Sequence, residues 1–79
     1  MTNPFPSLKA QAMLRILFGL GYEVTRQKGS HRRLEADGMT PLTFAFHDGV
    51  SLSPGEVRDI LVKQVGLLED EALKAVGAK

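Results

Sequence analysis

Between Arg26 and Arg33 the chain reads Arg-Gln-Lys-Gly-Ser-His-Arg-Arg, four cations gathered around one glycine, one hydroxyl and one imidazole with no acid among them. Histidine is the side chain that titrates near neutral pH, and a local excess of cations attracts phosphate. Together they permit acid-base chemistry on a phosphodiester. Cleaving RNA without a metal needs a base to take the 2′-hydroxyl proton, an acid to protonate the leaving oxygen, and cations to balance charge on the phosphate. His31 is the best catalytic candidate. Arg26, Lys28, Arg32 and Arg33 are the candidate phosphate contacts, Gly29 allows close approach of the backbone, and Ser30 can present its hydroxyl or N–H. The same residues also make an ordinary hairpin turn, and cations protect exposed strands from mispairing, so spacing alone leaves both readings open.

The rest of the composition narrows the alternatives. At 79 residues there is room for one domain, 1–79, and a chain this short buries only about 60 to 65% of its unfolded surface. The absence of cysteine removes disulfides and thiolate zinc sites and suits a reducing compartment. Met1 to Pro6 shows no basic-then-apolar leader, and no apolar run approaches the roughly 18 residues of a spanning helix, so a soluble, cytoplasmic protein with no membrane partner is expected. The formal charge is only +1, but it is uneven: Asp48, Glu56, Asp59, Glu69, Asp70 and Glu71 all lie in the second half. Two histidines, His31 and His47, with Asp48 as the one nearby carboxylate make an incomplete metal site, and no P-loop or nucleophile-base-acid spacing is present. No metal and no cofactor is implied.

These residues need elements to hold them. Ser7 is a plausible helix N-cap, followed by an apolar stripe of Ala10, Met13, Leu14 and Leu17 that ends at Gly19 and Gly21. Tyr22 to Gln27 favours a strand, Lys28-Gly29-Ser30 a turn, and His31 opens a second strand in which Arg32, Leu34 and Ala36 share one face and His31, Arg33 and Glu35 the other. After the Asp37–Pro41 turn, Leu42, Phe44 and Phe46 alternate with Thr43, Ala45 and His47, placing both histidines on the face without helices. With Ala36 opposite Leu42, His31 would face His47 directly; a shift by two residues separates them, and the sequence does not choose. Ser53-Pro54-Gly55-Glu56 is a capping box opening a second helix that runs to Gly66, with Leu52 and Val57 as its hydrophobic staple. A short last helix over about 69–76 follows. The expected class is α+β, ordered α-β-β-β-α, with helices on one face of a three-stranded antiparallel sheet.

Arg26-Gln27-Lys28-Gly29-Ser30-His31, a strand ending in His47 before Asp48-Gly49, and Leu52-Ser53-Pro54-Gly55 opening a helix that stops near Val65-Gly66-Leu67 closely resemble HicA-type (YcfA-like) mRNA interferase toxins. The likeness spans about Leu8 to Leu67, the expected core. It implies a fold like that of double-stranded-RNA-binding domains. It further implies a toxin of a toxin-antitoxin system, an endoribonuclease that cleaves mRNA and is neutralised by a HicB-type antitoxin covering the active site. By the resemblance the catalytic histidine is His31, with Gly29, Ser30 and His47 supporting it. Ala45 stands where many members carry proline, Val50 and Ser51 where a lysine is frequent, and Leu68 where a serine cap is usual. Two other functions fit the residues: a noncatalytic RNA-binding module using the same face, and a protein-interaction domain whose basic patch meets an acidic partner.

Overall fold

A computed structural model describes residues 3–77; expectations that fall on the two residues at either end lie outside it. The elements follow in the order β1 (Leu8–Lys9), α1 (Ala10–Gly19), β2 (Glu23–Lys28), β3 (His31–Glu35), β4 (Leu42–Phe44), β5 (Ser51–Leu52), α2 (Pro54–Arg58) and α3 (Glu69–Ala75), with a π-helical stretch Asp59–Gln64 continuing α2. Strands β2, β3 and β4 form the antiparallel three-stranded sheet, in that order. The α+β arrangement expected from the pattern is therefore the one observed.

The apolar stripe of α1 buries Ala10, Met13, Leu14 and Leu17, and Gly21, at φ +108°, turns the chain out of the helix. Its start departs from expectation. Ser7 does not cap it, because Leu8 and Lys9 are extended and pair with Leu52 and Ser51 of β5, so the helix cannot begin before Ala10. Two of the orphan donors of its first turn are met instead by the loop after β4. The Ala10 N–H donates to the Val50 carbonyl at 2.8 Å and the Gln11 N–H to that of Asp48 at 3.4 Å. The segment carrying His47 and Asp48 is thereby tied to the first helix.

The capping box of α2 forms as its residues demand: Glu56 N–H donates to Ser53 Oγ at 3.2 Å, and Ser53 N–H to Glu56 Oε1 at 2.9 Å. Leu52 and Val57, on either side of the cap, are both fully buried. Past Arg58 the helix widens, a change the apolar spacing does not announce. The Val65 N–H reaches back five residues to the Ile60 carbonyl at 2.9 Å, and the wide turn brings Ile60, Leu61 and Val65 all into the core. Gly66, at φ +91°, ends it. Helix α3 starts with exposed Leu68 in the cap position; Glu71 Oε1 accepts the Leu68 N–H at 3.0 Å, and an Arg58–Glu69 ion pair at 3.3 Å fastens α3 to α2.

Leu34, Leu42 and Phe44 leave one face of the sheet and join Met13, Leu17, Val57 and Leu61 in a common apolar cluster. Phe5, from the proline-rich stretch before β1, is buried there too. Tyr22 is buried, and its hydroxyl donates to the Thr40 carbonyl at 2.7 Å. Burial pushes its phenol above the usual pKa. No helix among the described residues is long and apolar enough to cross a membrane. The opposite face of the sheet remains open.

Candidate active site

Which side chains reach the open face depends on one irregularity in β2. Val24 pairs with Leu34, Arg26 with Arg33, Gln27 with Arg32 and Lys28 with His31, so the register shifts between Val24 and Arg26 and Thr25 is the extra residue of a β-bulge. Residues opposite each other across two strands share a face. Regular alternation from Val24, which sides with buried Leu34, would send Arg26 and Lys28 to that same helix-backed side. The bulge reverses the phase and puts both beside Arg33 and His31 on the exposed face.

The hairpin tip closes in two residues, Gly29 and Ser30, between the Lys28–His31 pair. Gly29 has φ +60° at the first central position, which a type II′ turn reserves for glycine. A Cβ there would meet nothing within 4 Å, so this glycine is required by backbone conformation and not by crowding. The Gln27 side-chain amide donates to the Gly29 carbonyl at 3.2 Å and helps hold the turn. Just inside the tip lies a shallow cleft of about 230 Å³ lined by Arg26, Lys28, His31, Arg32, Arg33 and Thr43. Five of the residues singled out in the sequence thus meet in one depression, together with Thr43, whose pairing with Arg33 brings it there.

One cation of the cleft is held by a carboxylate on the same face. Arg33 Nε donates to Glu35 Oε2 at 3.1 Å, and Thr25 Oγ1 donates to the same oxygen at 2.9 Å. The Thr25 hydroxyl first, and Arg33 after it, hold the Glu35 carboxyl below the usual glutamate pKa.

Arg32 behaves differently. It borders the cleft, but its side chain leaves β3 on the side of Leu34, where Nη2 bonds Asp48 Oδ1 at 3.2 Å and Nη1 is enclosed without a protein acceptor. Its guanidinium ties β3 to the loop after β4. His47 sits in that loop, exposed, beyond the end of β4 at Phe44, and is not among the residues lining the cleft. The facing His31–His47 pair does not form. Arg32 pairs with Phe44 and Leu34 with Leu42, the register shifted by two from the one that would oppose the histidines. The cause is the preceding turn: Met39 N–H bonds the Ala36 carbonyl at 3.1 Å, which takes Ala36 out of the ladder and makes Leu34–Leu42 the first apolar pair. Phe46 still packs on Phe44, ring centroids 5.2 Å apart and edge-on, but outside the strand. Among the described residues no three His, Asp or Glu side chains gather as metal ligands.

The family model described as HicA toxin of bacterial toxin-antitoxin matches residues 10–67. The chain belongs to this family. No curated protein and no solved structure matches it. The HicA match takes in the whole sheet, both histidines and the cleft, and stops before α3. Membership makes this chain a toxin of the toxin-antitoxin kind.

Sequence reasoning put Glu35 and Thr43 on the helix-free face without assigning them to the site, and it missed Thr25 and the pairing of Asp48 with Arg32. The bulge leaves a trace only after two pairings are known. Val24 and Lys28 are four residues apart on β2, while their partners Leu34 and His31 are three apart on β3, so one residue of β2 must be extra.

Proposed function

We propose that this HicA-family chain is an endoribonuclease that cleaves mRNA by metal-independent acid-base chemistry at His31, and that a HicB-type antitoxin in the same cytoplasm silences it by covering the open face of the sheet. The observation that carries this reading is the cleft, which gathers His31 with Arg26, Lys28 and Arg33 on an exposed face. In the reaction the 2′-oxygen attacks the adjacent phosphorus as its proton leaves to a base, and the 5′-oxygen departs as an acid protonates it. The products are a 2′,3′-cyclic phosphate and a free 5′-hydroxyl. His31 carries out one of these transfers; the three cations hold the phosphate and offset its developing charge. Gly29 and Ser30 shape the tip that presents His31, and His47 serves from the neighbouring loop. The substrate end of this proposal is a single-stranded backbone, since unstacked RNA is what a shallow basic face can accept.

One feature favours the noncatalytic RNA-binding module instead: the cleft holds one imidazole, with His47 outside it. His31→Ala separates the two. In purified protein the substitution is expected to slow RNA cleavage by about 10² to 10⁴-fold, the usual worth of a general acid or base, with the melting temperature and antitoxin binding unchanged. In cells it is expected to restore growth and intact transcripts on induction. Unaltered cleavage by the variant would remove His31 from the mechanism, and a wild type that binds RNA without cutting it would leave the binding module.

A further inference from the structure

We infer that Thr25 and Glu35 are positioning residues that aim the Arg33 guanidinium at the RNA phosphate held beside His31; this rests on the nuclease reading above. The ladder sets Arg26 directly opposite Arg33, two like charges on neighbouring strands whose side chains repel. Left alone, Arg33 would swing away into solvent. Glu35 lies two residues along β3 on the same face and takes the side of the guanidinium, accepting from Nε at 3.1 Å. The two Nη groups at the forked end make no hydrogen bond among the described residues, and that end matches the paired oxygens of a phosphate.

Thr25 acts one step further back. As the extra residue of the bulge it is placed to donate its hydroxyl to Glu35 Oε2, the same oxygen that Arg33 uses, at 2.9 Å. With Thr25 and Arg33 donating to one carboxylate oxygen, the bulge that places Thr25 also biases the direction of the Arg33 fork. The Arg33 and Glu35 side chains are each about half exposed, at 49% and 47%, and an ion pair so open to water adds little to stability. Its consequence is orientation.

Orientation and charge make opposite predictions for Glu35→Gln in the full chain. Removing an acid from a basic face strengthens RNA binding by electrostatics alone, whereas loosening Arg33, whose bond to a glutamine amide oxygen is no longer charge-assisted, slows the cut. With a cleavable RNA oligonucleotide, kcat is expected to fall roughly tenfold, as it does when a positioned group is loosened, while a 2′-O-methyl oligonucleotide that cannot be cut binds as well or better. Thr25→Val is expected to move kcat the same way by less. In an Arg33→Ala background Glu35→Gln is expected to have no further effect on kcat, because both act on it through one group. A kcat that is unchanged or raised by Glu35→Gln, or a full additional loss in the Arg33→Ala background, overturns the assignment. The two failures are distinct: cleavage lost in His31→Ala but indifferent to Glu35→Gln defeats the positioning role alone, whereas a wild type without cleavage defeats the nuclease reading and this role with it.

Discussion

Arg32 and Arg33 are neighbours on one strand and carry the same group, yet they belong to different parts of the molecule. Arg32 leaves β3 on the side of Leu34, bonds Asp48, and is only 17% exposed; Arg33 points to the open face, where its fork is free to meet a ligand. The pleat alone makes the difference, since successive side chains on a strand point to opposite faces. A run of cations in a strand is therefore not one patch but two interleaved sets. One set is fastening, the other lies exposed on the open face. The same division runs through the whole sheet: Leu34, Leu42 and Phe44 face the helices, and His31, Arg33 and Thr43 face outward.

The largest expected effect lies on the helix-backed face. Leu34→Ala removes a fully buried side chain from the middle strand, and a loss of about 2 to 5 kcal/mol is expected in urea unfolding, enough to unfold much of so small a protein. Loss of RNA cleavage by this variant should then follow the unfolded fraction. If the protein kept its stability while losing activity, the two faces would not be separable.

A smaller contrast is expected between the two arginines. Arg32→Ala should lower stability by roughly 1 kcal/mol, because its partner Asp48 is half exposed and water screens the pair, and should leave the salt dependence of RNA binding in place. Arg33→Ala should do the reverse. It should leave the melting temperature near its original value and reduce the salt slope by about 0.7 log unit per log unit of salt, the share of one phosphate contact on a single strand. Equal changes in slope for both variants would show that Arg32 also reaches the RNA.

The smallest effect concerns acid. Glu35 has a lower pKa folded than unfolded, held there by Thr25 and then Arg33. The folded carboxyl binds its proton less readily, so its link favours the folded state above the ordinary glutamate value. That preference fades as pH falls through the depressed folded value. In wild-type protein the Glu35 carboxyl resonance is accordingly expected to titrate below the ordinary glutamate range, and in Thr25→Val and Arg33→Ala to move back toward it. A resonance that titrates normally in wild type would break the proposed link.

Much of this was legible residue by residue. The Ser53–Glu56 box, its flanking Leu52 and Val57, the stripe of Ala10, Met13, Leu14 and Leu17, and the glycine at the hairpin tip all express preferences that act within a few residues. Alternation also placed His31, Arg33 and Glu35 together opposite Leu34. Where the structure departs from expectation or decides what the chain left open, a second segment has intervened. Ser7 lost its cap because β5 pairs with Leu8 and Lys9, forty-odd residues away in the chain. His47 lost its place opposite His31 because the Ala36–Met39 turn set the register of β4.

The order of the helices and of the three strands of the main sheet, the apolar faces and the cationic tip around His31 follow from the chain alone, because capping, turn chemistry and periodicity are local and each residue carries its own share of them. The bulge at Thr25, the two-residue shift of β4, the widened turn after Arg58 and the turning of Arg32 toward Asp48 were decided only in the folded molecule. Bulge and register belong to a pair of strands and the turn that joins them, the widened turn to the core it fills and the Arg32 pairing to a separate loop, so none is settled by one segment's own residues.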